Sequence, residues 1–195
     1  MSRIIILALA SAWLLYGCID IRPDTRYYTL SPTEPTDLQE PQPKLTLGLG
    51  PIEIPDLIDR REIVVRRGAG RVDILPFDLW GGSTEEGIRN TLASDLSARL
   101  GTEQLLFYPF RGAPLDWQAS IEILDLSGTP NGSAELIALW SVTRPKSRTP
   151  TTIRRGSYTT PVSGSAIDQL VSSYSRLLGL LADDIAAQIH RDMRR

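Results

Sequence analysis

Two runs in the second half of the chain alternate apolar and polar residues with a period of two. Trp117, Ala119, Ile121 and Ile123 make the first, and Ala134, Leu136, Ala138, Trp140 and Val142 the second. That period puts each apolar set on one face of a strand. Gly128-Thr-Pro-Asn-Gly132 between them is a turn sequence. The pair therefore predicts an antiparallel hairpin with one buried face. Leu124 and Leu126 shift the phase by one residue, which predicts a β-bulge near Leu124. A sheet with one apolar face must be covered by another layer, and the rest of the chain offers candidates.

Ile167, Leu170, Val171, Tyr174, Leu177, Leu178, Leu181, Ile185 and Ile189 recur at spacings of three and four. This predicts a long amphipathic helix over about 165–190, with Ser165 as its N-cap. A second helix is predicted over 83–100. Ser83-Thr-Glu-Glu86 is a capping box, Ile88, Leu92, Leu96 and Leu100 fall on one face, and Gly101 is placed to end it. Shorter strands are expected at Arg26–Leu30, at Leu45–Leu49 with one buried face, and at Ile63–Val65. Others are expected from Val72 to Trp80, at Glu103–Tyr108, and at Thr151–Thr160 on an edge. Pro51 and Pro55 around Ile52-Glu-Ile54 suggest an edge or a bend. The reading is an α+β fold: a mixed, largely antiparallel sheet packed by two main helices.

The amino terminus sets where such a domain works. Arg3 precedes an apolar run from Ile4 to Leu15, then Tyr16-Gly17-Cys18. The layout is that of a secretory signal peptide, and the run is shorter than the about 20 apolar residues that span a bilayer. Leu15-Tyr16-Gly17-Cys18 resembles a bacterial lipobox, with Tyr16 where a small residue is usual. Cys18 is the single cysteine of the chain. It has no partner for an internal disulfide, and its thiol is the nucleophile that lipidation requires. Residues 1–17 are read as the signal peptide, 18–25 as a lipidated tether and 26–195 as one domain. Ile19, rather than Asp, follows the cysteine, which resembles the outer-membrane class of lipoproteins.

Composition excludes several functions. The chain carries 21 Lys+Arg against 23 Asp+Glu, without a basic stripe interleaved with aromatics, so nucleic acid is not an expected partner. His190 is the sole histidine; a triad or a His-based metal site would need companions, and it reads as a solvated helix-end residue. Asp183 and Asp184, being adjacent, point about 100° apart on a helix and read as a solvated face. Gly48-x-Gly50 lacks the third glycine and the helix of a nucleotide loop. No catalytic or metal residues are assigned, and no cofactor beyond lipid on Cys18. The proline-rich stretch from Ser31 to Lys44 reads as an extended surface loop.

The ordered parts together carry a resemblance. Tyr27-Tyr28-Thr29-Leu30 follows the lipobox. Gly50-Pro-Ile-Glu-Ile-Pro55, Asp59-Arg60 through Arg66 and Trp80 come next, then Ile88-Arg-Asn-Thr-Leu92, Leu136-Ile-Ala-Leu-Trp140 and the long final helix. Essentially the whole mature chain is similar to the ABC-type transport auxiliary lipoprotein family, the PqiC-like lipoproteins. Gly81-Gly82-Ser83 departs from the family's Ala-Glu-Pro-like stretch there.

The resemblance implies an outer-membrane lipoprotein facing the periplasm. It would be a non-catalytic accessory subunit docking an MCE-domain protein that carries lipid between membranes. The alternative is a lipoprotein that regulates or scaffolds wall synthesis or lipopolysaccharide export. Candidate partner or phospholipid contacts are Trp80, expected semi-exposed at a strand end, and Arg60, Arg61 and Arg66. The competing reading of those arginines, and the one preferred, is a solubilising strand edge that blocks sheet-to-sheet pairing. Trp117 and Trp140 are expected in the core, and homo-oligomer formation is left open.

Overall fold

The hairpin forms as its alternation requires. Strands β6 (Trp117–Gly128) and β7 (Ser133–Thr143) pair antiparallel from Gln118↔Thr143 to Gly128↔Ala134. The register shifts between Ile123 and Asp125, so Leu124 is the bulged residue. In this computed structural model the described residues are 24–35, 44–146 and 152–194. Cys18, the signal peptide, most of the tether and residues 36–43 of the proline loop lie outside them.

β8 (Thr152–Pro161) adds antiparallel to β7 at the sheet edge, as its polar sequence predicts. On the other side β2 (Leu47–Glu53) runs parallel to β6, and β5 (Leu105–Phe107) runs parallel to β2. The sheet order is β5-β2-β6-β7-β8. β2 departs from the expectation of one buried face: Leu47, Gly48, Leu49 and Gly50 are all buried. It is an interior strand, and the side chains of Phe110 and Leu115 close over Gly48, where a Cβ would stand 2.9 and 2.5 Å from them. At Pro51 the register with β6 shifts between Leu49 and Ile52, in keeping with the bend read from the prolines.

The remaining strands make a second, three-stranded sheet instead of joining the first. β1 (Arg26–Tyr28), β3 (Glu62–Arg66) and β4 (Val72–Trp80) are ordered β1-β4-β3, with β1 parallel and β3 antiparallel to β4. Alternation cannot assign strands to sheets, and side chains supply the join here: Arg66 reaches Asp125 of β6 at 2.9 Å. Tyr28 fastens β1 to β4 by donating to Asp78 at 2.7 Å.

Helix α1 (Thr84–Leu100) starts and stops where its caps direct. Ser83 Oγ accepts from the Glu86 amide at 3.3 Å, and Gly101 adopts φ 62°, a left-handed geometry that favours glycine. Helix α2 (Ile167–Met193) begins two residues later than expected. Ala166, not Ser165, is its N-cap and makes no side-chain capping bond, while Asp168 accepts from the Gln169 amide at 2.9 Å within the first turn. That carboxylate suits the positive end of the helix dipole. Both helices bury the faces read from their periodicity, and Trp117 and Trp140 are core residues as expected. No helix among the described residues is long and apolar enough to cross a membrane.

A strap between two helices and the cleft beside Trp80

After β1 the chain from Thr29 to Pro35 lies against both helices. Thr33 is the fixed point. Its amide donates to Asp95 Oδ1 at 2.7 Å, and Arg99 donates to its carbonyl at 3.3 Å and its hydroxyl at 3.1 Å. Asp95 and Arg99 stand one turn apart on α1 and are buried. Arg99 also donates to Asp183 of α2 at 2.6 Å. One guanidinium therefore joins strap, first helix and second helix, which suits its planar fork of donors. Gly179 on α2 makes room for this, because a Cβ there would run into Thr33 Oγ1. Burial pushes the Asp95 carboxyl above its ordinary pKa, opposed by the Thr33 amide and the Arg99 charge. Its second oxygen has no hydrogen-bond partner among the described residues.

Two clefts flank the strap. One, of about 340 Å³, is lined by Tyr28, Leu30 and Pro32 on one side and by Trp80, Asn90 and Ser94 on the other. The second, of about 590 Å³, lies against α2 between Tyr27, Glu34 and Arg176. At the inner end of the strap Tyr28 and Arg26 both bind the buried Asp78 carboxylate. Burial, with the hydrogen bond to Asp78, pushes the Tyr28 phenol up to about 12.

The predicted contact residues fall into this frame with corrections. Trp80 is not semi-exposed: it is 8% exposed and part of the core. β1 lies alongside it through the pair Tyr28↔Trp80, and its amide donates to the Arg61 carbonyl at 2.7 Å. It still lines the smaller cleft. The arginines are not one patch. Arg60 pairs with Glu62 at 3.4 Å, Arg66 is held by Asp125 and Ser127, and Arg61 is exposed. His190 is not solvated; it is buried, with Nε2 3.4 Å from the Arg99 carbonyl. Of the two acids read as a solvated face, Asp184 is exposed as expected and accepts from the Tyr158 hydroxyl at 2.7 Å, whereas Asp183 is half-buried and binds Arg99. Among the described residues no three metal-ligating side chains converge.

Sequence reasoning passed over Asp95, Arg99, Thr33 and Asp78. Two signals were present: an acid and an arginine at i and i+4 on α1, and a glycine inside a long helix, which marks close approach of another element.

Comparison with known proteins places this architecture. A family model described as the ABC-type transport auxiliary lipoprotein component matches residues 28–186, and the chain belongs to that family. Two solved structures share the fold. An uncharacterized protein is 18% identical with a TM-score of 0.68, covering 86% of this chain and 99% of its own. A Xanthomonas campestris protein of the DUF330 family is 11% identical with a TM-score of 0.69, covering 87% and 100%. No curated protein matches the sequence.

Proposed function

We propose that this protein is an outer-membrane lipoprotein, acylated on Cys18, that docks the MCE-domain protein of an ABC-type lipid-transport system at that membrane. Family membership over residues 28–186 is the observation that carries this reading. The part played is binding, not turnover. Segments of a partner would enter the cleft beside the strap, where Trp80 and Pro32 give apolar surface and Asn90 and Ser94 give polar groups. Apolar walls with a few convergent polar groups suit an inserted ligand or peptide. Arg61, exposed at the start of β3, is the arginine best placed to meet acidic partner groups or phospholipid phosphate.

Gentle detergent extraction of the tagged full-length protein, followed by mass spectrometry of what accompanies it, tests the reading. Recovery of an MCE-domain protein is expected, and Ser94→Trp, which fills the cleft from an exposed position, should reduce that recovery. Recovery of wall synthases or lipopolysaccharide-export machinery with no MCE-domain protein would overturn it.

A further inference from the structure

The outer face of the three-stranded sheet carries exposed apolar side chains on β4 and β1, with Glu62 and Arg66 of β3 beside them. β4 alternates regularly except at Pro76 and Phe77, where two consecutive residues are exposed. The register agrees: Glu62 and Ile63, on opposite faces of β3, pair with Leu79 and Leu75. The phase of β4 therefore reverses once between those two leucines. Val72, Ile74 and Phe77 consequently share the face that looks away from the buried Ile63, Val65 and Trp80. Tyr27, paired with Leu79, joins them from β1. Tyr27 is 63% exposed, Ile74 45% and Phe77 40%. A contiguous exposed apolar face of this kind marks an interaction surface.

Three observations say what covers it. The first is direction. β1 is parallel to β4 with Arg26 opposite Asp78, so the chain before Arg26 heads toward the Val72 end of β4 and the turn that joins it to β3. The second is length. From Cys18 to Arg26 the chain can reach at most about 28 Å, whereas β4 from Asp78 back to Val72 covers about 20 Å. The reach exceeds that span, so a lipid on Cys18 is able to sit beyond the Val72 end of the sheet. The third is charge. From Arg61 to Ile74 the hairpin carries four arginines and two acids, and of the arginines Arg66 is already paired with Asp125 of β6. At its tip Arg67 and Arg71 share the single carboxylate of Asp73, at 2.8 and 3.3 Å, which leaves a positive excess there. Exposed aromatic and aliphatic side chains beside arginines suit the headgroup boundary of an anionic bilayer.

We infer that the outer face of β1-β4-β3 lies on the phospholipid leaflet that holds the anchor, with Ile74 and Phe77 entering the headgroup boundary and the hairpin arginines meeting phosphate. This rests on the proposed acylation of Cys18. The protein then has a fixed orientation on the membrane and is not a freely swinging domain.

The test uses the full lipidated chain in vesicles of phosphatidylethanolamine and phosphatidylglycerol. Single cysteines for a bimane probe are introduced by Ile74→Cys, by Phe77→Cys, and by Ile153→Cys on the edge of the other sheet, where the side chain is 74% exposed. Probes at 74 and 77 should be quenched by lipids carrying a shallow nitroxide. They should also be severalfold less accessible to iodide than the probe at 153. Equal iodide access at all three sites, without lipid quenching, would overturn the inference. So would shielding from iodide without lipid quenching, which would mean that protein, a second copy or a partner, covers the face. Intact mass reports acylation separately. Lipid quenching in a preparation lacking acyl chains would keep the face and sink the anchor.

Discussion

Arg99 Nε lies 2.6 Å from Asp183 Oδ1, and this contact ties the end of α1 to the middle of α2. The same guanidinium binds Asp95 and Thr33, so its removal strands a buried carboxylate. Breaking a buried ion pair by deleting one partner costs about 3–5 kcal/mol. Arg99→Met should lose stability on that scale in urea unfolding, seen as a lower midpoint at unchanged slope. Asp183→Asn should cost less, because the Asp183 side chain is 26% exposed and partly screened. Equal losses would show that Arg99 does not act as the common link.

Gly179 is a packing glycine within α2, and Thr33 occupies the space a side chain would need. Gly179→Ala should push the strap off the helices at a cost of about 1–3 kcal/mol, typical of overpacking. Faster amide exchange confined to residues 29–35 would report the displacement. Thr33→Ala removes the nearest atom, so the double variant should lose less than the sum of the two single changes. Strict additivity would mean the two positions do not meet.

Much of the fold was legible because short-range rules govern it. The phase change at Leu124 announced the bulge, and Ser83 with Gly101 announced both ends of α1. The strap was not legible. Thr33 and Asp95 are 62 positions apart and Arg99 and Asp183 are 84 apart, and no local pattern pairs them. Trp80 failed for the opposite reason: the glycines after it suggested an open end, but its side chain faces the core, with β1 paired beside it in the sheet. His190 follows suit, since the end of α2 is packed against α1 through the Arg99 carbonyl. A helix terminus is solvated only when nothing else lies there.

Tyr28 should be among the late-titrating phenols. Its hydrogen bond to the Asp78 carboxylate is of the charged kind, worth about 1.5–3 kcal/mol, and Tyr28→Phe should lose stability in that range. The folded-state pKa, pushed up to about 12, exceeds the ordinary 10.0. The contribution is therefore complete below pH 10.0 and disappears as pH rises through the interval up to about 12. The phenolate absorbance titration of the folded protein should lose one late step in Tyr28→Phe. An early step lost instead would place Tyr28 in water.

Asp95 gives the last prediction, and its sign is the reverse of the usual carboxylate. Burial raises its folded-state pKa above the ordinary 3.8. The folded protein then holds this proton more tightly than the unfolded chain does. Stability from this group falls as pH climbs from 3.8 through the raised value, and is level below and above that window. Asp95→Asn keeps an oxygen to accept from the Thr33 amide but has no charge to desolvate. Measured by urea unfolding across a pH series, the stability of the parent minus that of Asp95→Asn should decline with rising pH over this window and then flatten. A difference that grows instead would mean that Arg99 and Thr33 outweigh burial, making the carboxylate a net stabiliser of the strap in its ionised form.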